Sequence, residues 1–527
     1  MVGSLRFRTQ PADRRPPRGV IALAVAALAL LLHAATAFRY GYFRDELYFI
    51  ACSKHLAWGY VDQPPMVAFA AWLAAPVGYA PVALRALPIA GAALTVALAV
   101  ELARYVGGGR YAQILAGTAT ALMPAYLLLG NTLTTTSFEP LFWTAAFYCA
   151  IRIVRDTPER RPQWWLLLGF TGAAGTYAKY SMLLALAAIV VGLLATPQRR
   201  ALWSPWAAVA VLGAAALVLP NAAWQASHGW PIVEVLRGDA AHRPAFTNGL
   251  ALEYRGAIAN LLPFALEQLV YTGPIAAVVW AAGAIAPWRS TKLADLRFVS
   301  VAYAAVAIVA IAAAAKGYYI AGIYATLFAL GAVAIEGAAR TLRASLLAAV
   351  VAIGVAALPL ALPVLRIEDL IAYTKLLGLT GHGGSAPHLI QPVFAEEFGW
   401  RRLTSDVASV YFTLPPGVRA RTAIYADTYA DAGALDFFGP RYGLPPAISS
   451  QNNYYLWGTR GYDGSTLVAI GATRIDRLRQ FYRSVTLVGV STEPYKWIVE
   501  GPYPIYLCRF PVAPLSRIWP VLRWYGA

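Results

Sequence analysis

RGVIALAVAALALLLHAATAFRYGYFRDELYFIACSKHLAWGYVDQPPM, residues 18–66, opens on an apolar run and then sets Arg44, Asp45 and Glu46 side by side just beyond it. A bilayer-spanning helix needs about 20 mostly apolar residues, so 18–38 reads as a transmembrane segment. It has a basic leader but no clear small-residue cleavage site, and it is longer than a signal-peptide core. It therefore reads as a retained first helix. Ionisable groups next to a membrane span are costly and tend to mark sites, which makes the Arg-Asp-Glu run the first functional candidate.

The whole chain shares this character. Of 527 residues, 59% are hydrophobic and 13% charged, far from the composition of soluble domains, so the fold class is a polytopic α-helical membrane protein. The net charge of +17 does not point to nucleic acid, because the basic residues are spread over loops rather than gathered in one stripe. Eleven runs read as spans, near 18–38, 82–105, 111–130, 138–155, 163–178, 180–196, 205–224, 262–286, 297–315, 318–336 and 343–364. With the N-terminus inside, every inward loop is basic: Arg6, Arg8, Arg14, Arg15 and Arg18, then Arg104 and Arg110, Arg152, Arg155, Arg160 and Arg161, Arg199 and Arg200, Arg289, Lys292 and Arg297, and Arg340 and Arg343. The outward GNTLTTTS has no Lys or Arg, and the positive-inside rule selects this orientation in the inner (plasma) membrane.

The organisation that follows has a cytoplasmic basic N-terminus (1–17), a transmembrane part (18–364) with a first external loop at 39–81, and an extracytoplasmic α/β domain (365–527). In the first loop, PPMVAFAAWLAAPVG is too short to span and starts on two prolines, so it reads as an interfacial or re-entrant helix after the amphipathic DELYFIACSKHLAWG. From about residue 365 alternating strand-like and helix-like segments appear, among them RTAIYADTY, STLVAIGA, RIDRLRQFYR and YPIYLCRF. Cys52, Cys149 and Cys508 have no metal-ligand spacing, and a Cys52–Cys508 bridge is open if both lie outside.

Four outward features carry ionisable groups: Arg44-Asp45-Glu46, Glu139 after GNTLTTTSF, Lys179 in TYAKYS, and Lys316 in AKGYY. Each has a plain structural reading as well. Asp45, Glu46 and Glu139 suit helix N-termini, and lone lysines near helix ends snorkel to headgroups. Their recurrence at one depth favours a shared cleft. No P-loop appears, nor a cytoplasmic domain to hold a nucleotide, which makes nucleotide sugars and ATP poor candidates for the donor. A sugar on a polyprenyl phosphate fits: cations hold the phosphodiester and a carboxylate takes the proton of the acceptor hydroxyl. Arg44 next to Asp45 favours the ionised form that a base needs. Adjacent helical residues diverge by about 100°, so only one of Asp45 and Glu46 faces the donor.

The DE pair, the Pro64-Pro65 pair, TYAKYS, LPNAAWQASHGWP (219–231), KGYY (316–319) and ALDFFGPRYGLPPAISSQNNYYLWG (434–458) together resemble the glycosyltransferase C superfamily. The resemblance is to its bacterial protein mannosyltransferase and lipid A aminoarabinose transferase type, including lipopolysaccharide-core galacturonic acid transferase-like proteins, and it covers nearly the whole chain. It implies a GT-C membrane fold and inverting transfer from a polyprenyl-phosphate sugar to a cell-envelope glycan, lipid or protein. It implies Asp45 as base with Glu46 its neighbour, and Glu139 as the acidic residue that orients the acceptor or Asp45. Lys179, Lys316 and Arg44 are implied at the donor phosphate, with His228, Tyr318 and Tyr319 in the cleft. Gln63 stands where some relatives carry Lys, and Glu139 where some carry Asp. No cofactor or metal is expected beyond the lipid-linked donor, and no nucleic-acid partner. The alternative is a transporter or flippase of a lipid-linked sugar, which calls for broken helices and polar groups near the midplane. A third reading, an assembly protein, leaves the acidic pair unexplained.

Overall fold

The computed structural model describes residues 19–241, 261–313, 315–379, 392–471, 475–495 and 502–526. The basic N-terminus expected at 1–17, with Arg6, Arg8, Arg14 and Arg15, and the adjoining Arg18 lie outside the described residues.

Helix α1 (Val20–Thr36) presents Leu23, Leu28 and Leu31 outward, as an apolar helix in lipid must. After it come two short helices of the first loop, α2 (Arg44–Ser53) and α3 (Met66–Leu73), and neither is long enough to cross a bilayer. Long helices follow at Ala86–Tyr105, Glu139–Arg155, Arg161–Ala178, Pro205–Ser227 and Arg340–Ala361. Among the described residues five helical segments are long and apolar enough to span alone, and up to eight if each of three bent pairs forms one span. The protein is an integral membrane protein of mostly helical build.

Two of the runs expected as straight spans are broken. The run at 111–130 bends by 60° between Arg110–Ala121 and Pro124–Gly130. The run at 262–286 bends by 112° between Leu261–Thr272 and Ala276–Arg289. Each break has a proline, Pro124 or Pro274, which lacks the amide needed to continue the helical ladder. Hydropathy registers the apolar length of such a run but not its direction. Elsewhere the helices pack by small residues: a Cβ on Gly283 would sit 1.9 Å from the Leu327 carbonyl oxygen, and one on Gly331 would sit 1.8 Å from that of Val279. Helices Ala276–Arg289 and Tyr324–Ile335 therefore touch backbone to backbone, the closest approach open to helices that gain little from hydrophobicity inside lipid.

The C-terminal part carries a mixed four-stranded sheet of order β1-β2-β4-β3. Strand β1 (Thr422–Ala426) runs parallel to β2 (Thr466–Ile470), while β4 (Tyr503–Pro511) is antiparallel to both β2 and β3 (Tyr482–Ser491). Every residue of β1 and β2 is buried, in keeping with their unbroken apolar runs. One face of this sheet shares its core with the first loop: Leu47, Tyr48 and Ile50 of α2 pack in one cluster with Leu403, Val407, Tyr429 and Phe438. All three cysteines are free and buried. The Cys52–Cys508 bridge is not formed, because Cys52 lies in this shared cluster whereas Cys508 points into the other face of the sheet.

Candidate active site

Helix α2 starts at Arg44 because Phe43 and Glu46 close a reciprocal cap, with the Phe43 amide donating to Glu46 Oε2 at 2.9 Å and the Glu46 amide to the Phe43 carbonyl at 2.9 Å. That cap turns Glu46 inward. Its carboxylate also accepts from Arg85 Nε at 2.7 Å, Arg85 Nη2 at 2.8 Å and the Leu133 amide at 2.9 Å, and both charged side chains are fully buried. Arg85 spends its remaining donors on the carbonyls of Ala37 (2.7 Å) and Gly41 (2.9 Å) and on Glu397 Oε2 (3.2 Å). Burial pushes the Glu397 carboxyl up to about 7, against the pull of Arg85 and with the added repulsion of Glu46.

One residue earlier and about 100° round the helix, Asp45 lines a cavity of about 900 Å³. Its polar lining comes from loop and helix ends, chiefly Asp45, Asp62, Lys179, Lys316, Tyr319 and Tyr429. The apolar lining comes from the bent pairs and from Arg340–Ala361, through Leu122, Leu128, Val270, Ile275, Ile353 and Leu360. A headgroup-sized polar chamber is thus continuous with a hydrocarbon-lined one. Tyr429 donates to Asp45 Oδ1 at 2.8 Å, and Tyr48 donates to Asp62 Oδ1 at 2.9 Å. Burial drives the Asp62 carboxyl up to about 7, although the Tyr48 hydrogen bond works to lower it.

Lys179 follows directly on helix Arg161–Ala178 with extended backbone, which swings its side chain into the cavity. Its Nζ donates to Thr136 Oγ1 at 3.0 Å and to Glu139 Oε2 at 3.1 Å, and lies 4.2 Å from the centre of the Tyr319 ring. Glu139 is buried behind Lys179 and also accepts from the Ser181 hydroxyl, so it does not reach the cavity wall. Its carboxylate engages Lys179 and Ser181. Lys316, Tyr318 and Tyr319 all line the cavity, with Lys316 exposed. Arg44 lies behind Asp45, bound to Glu396 Oε1 at 3.3 Å and to the Tyr429 hydroxyl at 3.0 Å.

His228 is placed elsewhere. It is exposed, stacked on Trp224 with ring centres 4.0 Å apart, and its Nδ1 lies 2.8 Å from the Trp224 carbonyl oxygen, outside the cavity lining. It follows the last turn of a helix whose own Trp224 satisfies it. Residues absent from the sequence-based set are Asp62, Tyr429 and Arg85. Asp62 carried a signal in the DQPP turn, and Arg85 in being a charge among apolar residues. Tyr429 carried none, because its contact with Asp45 joins positions 384 apart. Among the described residues no three His, Cys, Asp or Glu side chains converge as metal ligands.

Residues 62–224 match the family of dolichyl-phosphate-mannose-protein mannosyltransferases. No curated relative matches the sequence. The crystal structure of ArnT from Cupriavidus metallidurans bound to undecaprenyl phosphate superposes with a TM-score of 0.62 over 92% of this chain and 97% of that one, at 12% identity. Its apo form superposes with a TM-score of 0.58 at 14% identity, with the same coverage of both chains. These likenesses establish a shared fold along nearly the whole chain. The family match over 62–224 lies within that shared fold.

Proposed function

We propose that the protein is an inverting glycosyltransferase of the inner membrane that moves a sugar from a polyprenyl-phosphate donor to a cell-envelope glycan, lipid or protein at the outer face. The observation that carries this reading is the cavity that joins hydrocarbon-lined walls to a chamber holding Asp45, Lys179 and Lys316. A polyprenyl chain suits the apolar walls, and its phosphodiester suits the lysines. The fold shared with an ArnT structure that holds undecaprenyl phosphate supports the same donor class.

Asp45 accepts the acceptor hydroxyl proton as the oxygen attacks the anomeric carbon, the bond to the phosphate oxygen breaks, and the polyprenyl phosphate leaves carrying the extra negative charge. Attack opposite the leaving group inverts the anomeric centre. Lys179 and Lys316 stabilise the charge that grows on the leaving phosphate. Glu139 and Thr136 hold Lys179 in place, and Arg44 backs Asp45 from the α2 side. The donor is already activated, so the lipid-linked sugar is the substrate and the reaction draws on no separate cofactor. Membrane lipids surround the spans, and nucleic acid has no part.

The reading is tested by native mass spectrometry of the purified protein, wild type and Asp45→Asn, against a panel of polyprenyl-phosphate sugars. The expected result is one donor bound by both forms, with lipid phosphate released by the wild type alone when acceptor extract is added. If no donor of the panel binds, the substrate class is wrong.

A further inference from the structure

Helix Tyr429–Phe438 belongs to the C-terminal part, yet its first residue lines the cavity beside Asp45. The approach depends on Gly433. A Cβ there would lie 2.8 Å from the Leu47 carbonyl carbon and 3.0 Å from the Tyr48 amide, so the helix rests directly on the α2 backbone. Residues four apart share a helix face, and the contact at Gly433 therefore sets Tyr429 against the start of α2. There the phenol donates to Asp45 Oδ1 at 2.8 Å and accepts from Arg44 Nη2 at 3.0 Å, while its ring packs on that of Tyr48 at 4.6 Å. Its backbone is anchored in turn, since the Tyr429 amide donates to Gln451 Oε1 at 2.7 Å and Gln451 Nε2 to the Gly526 carbonyl at 3.0 Å. Burial pushes the phenol well above its ordinary range, so it keeps its proton and remains the donor.

We propose that Tyr429 is a positioning residue for Asp45: its phenol fixes one carboxylate oxygen and so the orientation of the base, and the C-terminal part thereby completes the active site. This rests on the reading of Asp45 as the base. Among the described residues, the charged and titratable groups around Asp45 include Arg44 on α2, itself tied to Glu396, Tyr429 from the C-terminal helix, and Asp62 and Lys179 in the cavity lining. A hydrogen bond to an ionised carboxylate favours that form, so its loss raises the pH at which Asp45 titrates.

The test is Tyr429→Phe in the full-length protein, a change that keeps the ring packing and removes only the hydroxyl. We expect donor affinity within about twofold of wild type, turnover down about tenfold or more, and the acidic limb of the kcat/KM profile moved up by about one pH unit. A second readout does not need turnover: infrared titration of the Asp45 carboxylate, isolated as the difference between each protein and its Asp45→Asn counterpart, has its midpoint moved up in Tyr429→Phe. An unmoved midpoint overturns the proposal whether or not the wild type transfers sugar. A wild type that transfers nothing overturns the functional reading, while the midpoint still decides the positioning role. Gly433→Ala, which pushes the helix off α2, should reproduce the shift, and a Gly433→Ala protein with the wild-type midpoint counts against the proposal.

Discussion

Asp45 and Glu46 are neighbours in the chain with the same functional group, and they end in opposite kinds of environment. Glu46 is sealed with Arg85 and Glu397, and its two oxygens accept from Arg85 and from two backbone amides. Asp45 is held at one oxygen by Tyr429 and opens onto a cavity. Full burial makes the first cluster a structural lock, since Glu46 and Arg85 are enclosed together and engage one another rather than a substrate. Asp45 instead stands in the wall of the cavity, where a carboxylate can meet a bound hydroxyl. The difference arises from the roughly 100° step between consecutive helical residues.

The comparison can be broken in four ways. The largest effect is expected for Asp45→Asn, which keeps shape but removes proton acceptance: turnover should fall about 10²–10⁴-fold with thermal stability in detergent unchanged, and a matching loss of stability would erase the contrast with Glu46. Arg85→Met should do the reverse, costing about 3–5 kcal/mol by stranding Glu46 and Glu397 without a counter-charge, read as a lowered unfolding midpoint. Lys179→Ala should weaken donor binding about tenfold, measured as the Kd for a polyprenyl-phosphate sugar, and an unaltered Kd would make Lys179 a partner of Glu139 only.

The smallest effect concerns pH. Glu397 and Asp62 both sit near 7 in the folded protein, above ordinary values of 4.5 and 3.8, so the folded state holds their protons longer than the unfolded state does. Their contribution to stability is therefore present below the ordinary carboxylate range and is lost as pH rises towards about 7. Thermal midpoints should decline between about pH 5 and pH 8, and Glu397→Gln should flatten part of that decline. A midpoint that climbs over this interval, with Glu397→Gln indistinguishable from wild type, would contradict the assignment.

Much of the helical layout is legible in the sequence, because a run such as 82–105 or 205–224 has few alternatives to a spanning helix. The bends at Pro124 and Pro274 are not, since apolar length continues across them. The strands at 422–426 and 466–470 show in their apolar, β-branched character, and the two short first-loop helices show in their length and in Pro64-Pro65. Of the cavity lining, Lys179 and Lys316 stand out locally as charged groups in loops too short to be solvated surface, and Tyr318 and Tyr319 as aromatics at an outer boundary. Glu46 and Asp45 could not be told apart, because their separation depends on Arg85, 39 positions on. His228 reads as a cleft residue only until the stacking on Trp224 is seen. Tyr429 is invisible to local reading, since only the tertiary fold brings it to α2.

The core shared by α2 and the Leu403–Phe438 region has a consequence for how the protein is made. Arg44 waits for Glu396, which is synthesised 352 positions later. At about 5–20 residues per second, that is roughly 20–70 s during which the first loop has left the ribosome without the surface that will cover it. Leu47, Tyr48 and Arg85 are then open to chaperones and proteases, and the first loop is among the first segments made and among the last to become native. Chains truncated before residue 396 should insert their early spans and yet be cleaved within 44–66 by added protease, whereas the complete chain resists it.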